Sequence, residues 1–421
     1  MALADTDARA DWAYVNEGNA AAVFAYDGPL HARFTRTVIR LRKTTTSAHS
    51  QVDEQSLATE VDDAEDPMLA FQRVAIDPLV PPEYRARIET VLLDPDWFAS
   101  FADAHAHNLR AGQSFDTSRS RATLAENLIG FPWAVEIKPK WGFLPASSPS
   151  SVKSRTCRTC MHDHYRRVKD HKDLQTHPLA AEEGVDAYCP LDLFSGDVSR
   201  VRRALGALWT RWERGEGKEN KLRMFVPWRM LSPADVSKWK TSCLGLPEDA
   251  DVETCREAFI ARLLPALCTT PVIPLLASLQ RRLDALGEPL ALSASYPENE
   301  PTLEEWEAFT QRFQRDEVRA EDAPLAYMLS ATFKDCSMII GLPDGKEPVI
   351  KLVDLDVKSV SKFAYWIKLD KDIIASYGQL GESERRVCVD ALSSGRRYVV
   401  GYMILAFTLA SALLSFAFLS M

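Results

Sequence analysis

Two aspartates define the chemistry this chain could perform. Asp335 lies between two apolar runs and Asp354 closes the next one, 19 residues later (354 − 335), with the turn Pro343-Asp344-Gly345-Lys346-Glu347 between them. Phosphoryl transfer uses such a pair: one carboxylate beside the attacking hydroxyl, and another at a strand end holding Mg²⁺ on the phosphates. A turn cap and a solvated strand end fit the same spacing, so the pair alone does not fix the reaction. A second group is Glu136-Ile137-Lys138-Pro139-Lys140. Two lysines two apart on a strand project to one face, beside a carboxylate and a proline that stiffens the exit, and such a face expects an anion. Downstream, Val152 to Asp173 holds seven Lys/Arg against three Asp, with His162, His164 and His171 interleaved. A solvated basic face is the plain alternative for this run. Within it, Cys157 and Cys160 form a CxxC that, with His162 and His164, could be half of a zinc site. No partner ligands are apparent, so two ordinary thiols are the favoured reading.

The elements that must position these groups are legible at low resolution. Residues 12 to 43 predict a small sheet, two strands around a turn at Asp27-Gly28, with the β-branched run ending VIRLRK. Thr44 to Pro67 carries seven carboxylates and no Lys or Arg, which predicts a flexible loop. A second loop is expected over Gly112 to Arg121. Trp133 to Pro139 predicts a strand. Ser199 to Trp212 places Val201, Leu205, Leu208 and Trp212 on one helical face, and Cys255 to Leu286 predicts helix with a break near Pro271. Thr302 with Glu305 forms a capping box. Tyr327 to Leu342 and Pro348 to Lys358 then predict two strands joined by a turn.

With 421 residues the chain is long enough for two ordinary domains or one two-lobed body. A net charge of −9 argues against non-specific nucleic-acid binding, so an anionic ligand must be held by a local basic cluster. Eight scattered cysteines do not make a disulfide scaffold and suit a reducing compartment. The first twelve residues are acidic and lack an apolar core, so no secretory signal is expected. Tyr398 to Leu419 is different: 22 residues (419 − 398 + 1) without a charged residue, preceded by Arg396 and Arg397. As a helix it would span about 33 Å against a hydrocarbon core of about 30 Å, which predicts a tail anchor with the body in the cytosol.

Motif by motif, the chain resembles the inositol-pentakisphosphate 2-kinase family, which makes inositol hexakisphosphate from ATP and the pentakisphosphate. The resemblance rests on EGNAAAVFAY with VIRLRK, VEIKPKWGFLP, CRTCMHDH, YCPLDLFSG, ENKLRMF, ATFKDCSMII and VDLDVK, in family order from about Asp11 to about Tyr377. It implies ATP and Mg²⁺, and a two-lobed α+β plan loosely like a protein kinase: an N-lobe over 1–132, a C-lobe with the inositol-phosphate site over 133–392, then the transmembrane segment 398–419. Its implied ATP-binding residues are Gly18, Asn19, Arg40, Glu136, Lys138 and Arg223. Its implied substrate residues are Arg110, Lys138, Lys140, His162, Arg166, Asn220, Lys221, Lys358 and Lys362. Asp335 corresponds to the residue that orients or deprotonates the hydroxyl, and Asp354 to the metal ligand. Arg166 and Lys362 depart from the family residue but keep its charge, whereas Lys221 stands where the family has asparagine. The segment Ala125 to Leu128 does not reproduce the family's pattern. A monomer acting on a small-molecule substrate is expected. The alternative is a membrane-tethered inositol-phosphate-binding protein without catalysis. An ordinary protein kinase ranks last, since GxGxxG, HRD and DFG are missing.

Overall fold

The computed structural model describes residues 3–17, 21–45, 66–145, 152–173, 187–218, 220–227, 229–287 and 298–391. It is an α+β fold with two antiparallel sheets. The first sheet contains β1 (Trp12–Glu17), β2 (Ala21–Tyr26), β3 (Thr37–Thr45), β4 (Ile88–Leu92), β5 (Gln113–Phe115) and β6 (Arg121–Glu126). Their order is β1-β2-β3-β6-β4, with β5 paired to the end of β3. Period-2 alternation explains β3: Ile39 and Leu41 are buried while Arg40 and Arg42 point to solvent. Helix α2 (Pro95–His105), capped by the Asp94 side chain on the Trp97 amide, lays Trp97, Phe98 and Phe101 on this sheet. Phe24 meets Phe101 edge-on with ring centroids 4.8 Å apart. The region 12–43 thus holds three strands rather than two, because Trp12–Glu17 and Ala21–Tyr26 pair with each other as separate antiparallel strands before β3. The second expected loop likewise contains the short strand β5. Most of the acidic stretch, 46–65, lies outside the described residues, and Asp66 caps α1 (Pro67–Phe71).

The second sheet has the order β11-β10-β7-β8-β9. It comprises β7 (Trp133–Ile137), β8 (Leu222–Val226), β9 (Arg229–Met230), β10 (Ser337–Leu342) and β11 (Val349–Val353). Central β7 is buried along its whole length, which its continuous apolar run requires. Around it pack α5 (Val198–Arg214), α7 (Val252–Thr269), α8 (Val272–Gly287), α9 (Leu303–Gln314) and α10 (Ala323–Asp335), with Trp133, Trp209, Trp212 and Trp306 in one continuous core. Phe71, Val74, Ala75 and Ile76 join this larger core rather than the first. The remaining helices are α3 (Arg158–Asp173), α4 (Pro190–Leu193), α6 (Val236–Leu244) and α11 (Phe363–Gly378).

The predicted face of α5 is buried as expected, the break at Pro271 separates α7 from α8, and the Thr302–Glu305 capping box opens α9. One expectation is corrected. Residues 323–335 form a helix, not the start of a strand, and only Ser337 onward is extended. Pro324 sits in the first turn, Ala, Leu and Met dominate, and Ala326, Leu329, Ser330 and Phe333 are buried at helical spacing. Among the described residues no single helix is long and apolar enough to cross a membrane. The pair α7 and α8 reaches that composition together but bends by 62° and supplies core residues. Residues 398–419 lie outside the described part of the chain.

Candidate active site

Everything at the site hangs from the end of β7. Glu136 is buried in the middle of the second sheet, paired in register with Ile339 on one side and Arg223 on the other. Its carboxylate accepts the Ser337 hydroxyl at 2.7 Å, and the Arg223 guanidinium lies 3.5 Å away. Ser337 Oγ also lies 3.0 Å from the Asp354 carboxylate, to which the Lys138 Nζ donates at 3.1 Å. Asp354 directly follows β11, its side chain half exposed and its φ at +58°. A non-glycine residue in the left-handed region costs of order 1 kcal/mol or more, and such residues gather at functional sites.

One proline further on, the chain turns again. Lys140 has φ +64°, and its Nζ donates to Asp335 Oδ1 at 2.9 Å, with Lys358 Nζ 4.0 Å from Oδ2. The expected same-face lysine pair is therefore corrected: the strand ends at Ile137, and the turn at Pro139-Lys140 aims each lysine at its own aspartate. Burial alone would raise the Asp335 carboxyl, but Lys140, Lys138 and Lys358 overcome this and hold it below the usual carboxylate range. Burial likewise works against the Lys138 ammonium. Asp354, with Asp335 and Glu136, reverses the balance and holds it above the usual lysine range.

A single buried side chain locks this turn. Gln280 on α8 accepts the Gly142 amide at 2.8 Å and donates to Lys140 O at 2.9 Å and Phe333 O at 2.8 Å. It thus couples the lysine's backbone to the end of the helix that presents Asp335. Tyr188 adds a bond to Pro139 O at 2.9 Å. Gly142 must be glycine, because a Cβ there would meet the Phe194 ring at 2.5 Å. Trp141 stacks on Phe143 with rings tilted by 8°, and Lys334 sits over the Trp141 face at 3.9 Å.

Lys140 and Asp335 open onto a cavity of about 930 Å³ between α3, α10, α11 and the 358–362 linker. Lys140, His162, Arg166, Asn220, Lys221, Lys358 and Lys362 all line it, as does Asp335. Counting every lining residue, nine Lys/Arg face four Asp. This excess of positive charge sits inside a protein of net charge −9. The aspartates hold the cations apart in the meantime: Asp163 takes Lys221 at 3.0 Å and Arg211 at 2.6 Å, and Asp370 takes Arg158 at 2.8 Å and Lys153 at 3.1 Å. Buried Lys334 pairs with Asp284. Burial first, then Arg158 and Arg166, push His162 down to about 4, so it faces the cavity as a neutral imidazole at physiological pH.

Among the described residues, the other sequence-derived positions do not line this cavity. Glu136, Lys138, Arg223 and Asp354 form the adjoining corner described above. Arg40 points to solvent from β3 with Met68 Sδ at 3.6 Å, and Arg110 pairs with Glu17 at 3.1 Å. Gly18 and Asn19 lie outside the described residues. Sequence reading missed Gln280 and Lys334 as site residues. Gln280 carried no local signal, since a glutamine inside a helix is ordinary until its neighbours are known. Lys334, beside Asp335 at the end of an apolar run, carried a signal as a cation in a segment with no other basic residue, and it is buried.

A sequence profile described as inositol-pentakisphosphate 2-kinase matches residues 14–372. An inositol-pentakisphosphate 2-kinase of Cryptococcus neoformans is 31% identical over 414 aligned residues, covering 86% of this chain and 92% of the relative. One of Arabidopsis thaliana is 25% identical over 91% of this chain and 96% of its own. One of Danio rerio is 30% identical over 51% of this chain and 43% of its own. On the profile match and the fungal relative, the chain belongs to the inositol-pentakisphosphate 2-kinase family.

Proposed function

We propose that this protein transfers the terminal phosphoryl group of ATP to the 2-hydroxyl of inositol 1,3,4,5,6-pentakisphosphate, giving inositol hexakisphosphate. The observation that carries the reading is the cavity: nine cations against four aspartates, in an acidic protein, with Asp335 at its wall. An acceptor already crowded with phosphates repels ATP, and only dense, fixed positive charge offsets that repulsion. Substrate phosphates replace the aspartates as partners of Lys140, Lys221 and Lys358. Freed from Lys140, the Asp335 carboxylate accepts the hydrogen bond of the attacking hydroxyl. Its lowered pKa suits orientation more than early proton removal, which matches the loose transition state of phosphoryl transfer.

ATP occupies the corner formed by Glu136, Lys138 and Arg223 on the second sheet, in a kinase-like plan of an N-lobe (1–132) and a C-lobe (133–392). Mg²⁺ supplies charge neutralisation on the transferred phosphates when bound. The hard, half-exposed carboxylate of Asp354 suits an ion that keeps several waters and takes one or two protein oxygens. Incubation of the purified protein with Mg-ATP and inositol pentakisphosphate should yield hexakisphosphate and ADP in equal amounts. Substrate that binds without product overturns the reading. We further propose that Tyr398 to Leu419 anchors the protein, with the body in the cytosol. Deleting 398–421 should move it from the membrane to the supernatant fraction, and an unchanged distribution refutes the anchor.

A further inference from the structure

The segment 385–391 lies on the surface of the body and ends the described part of the chain. Burial alternates along it: Cys388 and Asp390 are turned inward, while Val387 is 70% exposed and Val389 59% exposed. This reverses the usual arrangement, with a carboxylate turned in and two β-branched apolar side chains turned out. Looseness does not explain it, because the backbone is pinned. The Arg386 amide donates to the Tyr377 hydroxyl at 2.8 Å, and the Cys388 amide to Arg155 O at 2.8 Å. The Thr156 hydroxyl donates to Arg386 O at 2.6 Å, and the Arg200 guanidinium to Val389 O at 2.6 Å. Inside, Asp390 accepts the Leu144 amide at 2.8 Å and the Arg281 guanidinium at 3.0 Å. A fixed backbone therefore holds the two valines out, which lowers the ordering cost of meeting a partner. One exposed valine is ordinary; two at successive outward positions of a pinned segment call for an explanation.

Val387 also closes one side of a cleft of about 140 Å³, lined with Val152, Arg155, Thr156, Glu382, Arg385 and Arg386. Three arginines face one glutamate there. Glu382 engages Arg155 at 3.4 Å with both side chains largely exposed, and Arg385 donates to Gly378 O at 2.6 Å. The Arg385 Nε is buried and has no hydrogen-bond partner among the described residues. An unmatched donor in an arginine-lined cleft suits an oxyanion. The volume is below the roughly 300 Å³ at which clefts begin to enclose a whole small molecule, so a single phosphate group fits better than a metabolite. The cleft shares no lining residue with the substrate cavity. Apolar side chains beside cations are how protein surfaces meet anionic phospholipid, carbon entering the headgroup layer while arginine holds phosphate. Chain length agrees. The charge-free stretch begins at Tyr398, nine residues after Val389 (398 − 389), and nine residues span at most about 32 Å, so a bilayer entered there lies within reach of the segment. That last point rests on the proposed anchor, whereas the valines and the cleft do not.

We propose that residues 385–389, with Arg155, form a docking face for an anionic phospholipid surface, on which Val387 and Val389 enter the headgroup layer while Arg155 and Arg385 hold a lipid phosphate. The test mixes the full-length protein with vesicles of phosphatidylcholine alone, or of phosphatidylcholine with phosphatidylserine, and labels it with hydroxyl radicals read by mass spectrometry. On the phosphatidylserine vesicles, labelling of Val387 and Val389 should fall several-fold, while that of exposed Val252 and Leu303, at the starts of α7 and α9, stays unchanged. Inorganic phosphate in place of vesicles should leave both valines labelled as in buffer. Arg155→Ala with Arg385→Ala, and separately Val387→Asp with Val389→Asp, should lose most of the protection and keep the wild-type urea midpoint. Sedimentation of the same samples reports the anchor separately. A chain that stays in solution with phosphatidylcholine alone refutes the anchor, and the docking face stands if phosphatidylserine vesicles still protect the valines. Undiminished labelling of Val387 and Val389 with phosphatidylserine vesicles overturns the proposal, whether or not the protein sediments. Equal protection by phosphatidylcholine alone, protection by inorganic phosphate, or full protection in the valine variant overturns it as well.

Discussion

Lys138 and Lys140 are separated by one proline and hold their aspartates at almost the same distance, 3.1 and 2.9 Å, yet they belong to different electrostatic regions. Around Lys138 the charges nearly balance: Glu136 and Asp354 against Lys138 and Arg223. Around Lys140 they do not, because nine cations share four aspartates. A balanced corner with one half-exposed carboxylate suits a nucleotide that brings its own metal ion. A cation-rich cavity suits a polyanion that arrives without one. The turn at Pro139-Lys140, fixed by Gln280, separates the two binding problems.

The largest effects should come from exchanging the two carboxylates. Asp335→Asn should lower kcat by about 10²–10⁴-fold while inositol-pentakisphosphate affinity holds or improves, since a negative charge leaves the cavity. Asp354→Asn should lower kcat as well, but with a raised Mg²⁺ requirement and unchanged inositol-phosphate binding. Steady-state rates across Mg²⁺ concentrations, with calorimetric titration of the substrate, test both. A shifted Mg²⁺ requirement in Asp335→Asn would erase the distinction between the regions.

Next come the lysines. A hydrogen bond to a charged group contributes about 1.5–3 kcal/mol, so Lys140→Ala should raise the inositol-pentakisphosphate KM about 10- to 100-fold and leave the ATP KM within about threefold. Lys138→Ala should do the reverse. Equal changes in both constants from either substitution break the comparison. Gln280→Leu comes third. It strands the carbonyls of Lys140 and Phe333 and the amide of Gly142, each worth about 1–3 kcal/mol when buried without a partner. A lower urea midpoint and a raised inositol-phosphate KM, with the ATP KM unchanged, are expected. A variant that is merely less stable would show that Gln280 plays no part in positioning Lys140.

How much of this was visible in the chain follows from how local each signal is. The β-branched run placed β3, the apolar stretch around Glu136 placed β7, helical spacing placed α5, and Thr302 with Glu305 placed the start of α9, because each depends on neighbours within a turn or a pleat. The strand expected through Phe333 failed for the opposite reason: a short apolar run fits a buried helix as well as a strand, and packing against α8 decided it. Family motifs pointed to Asp335, Asp354 and four of the lysines that line the cavity, Lys140, Lys221, Lys358 and Lys362. They could not show that Lys138 and Lys140 diverge, since that turn depends on a glutamine 140 residues away. The cysteines were half visible: the Cys157-Cys160 CxxC is local, whereas Cys189 and Cys388, whose sulfurs lie within 4.8 Å of those two, join them only through the fold, and His162 and His164 stand apart.

The smallest effect concerns His162, and it tests the burial and the field of the cavity wall together. An unfolded histidine titrates near 6.5, whereas burial, Arg158 and Arg166 bring the folded group to about 4. Between those values the unfolded chain binds the proton and the folded chain does not, so stability falls as pH drops from about 6.5 to about 4 and levels off below. His162→Asn removes this contribution. The loss of urea midpoint between pH 7 and pH 5 should therefore be smaller in the variant than in the wild type. Because the group is partly exposed, solvent screening makes the difference modest. Parallel pH profiles would mean that neither burial nor the neighbouring arginines hold His162 neutral, and the description of the cavity wall around α3 would lose its support.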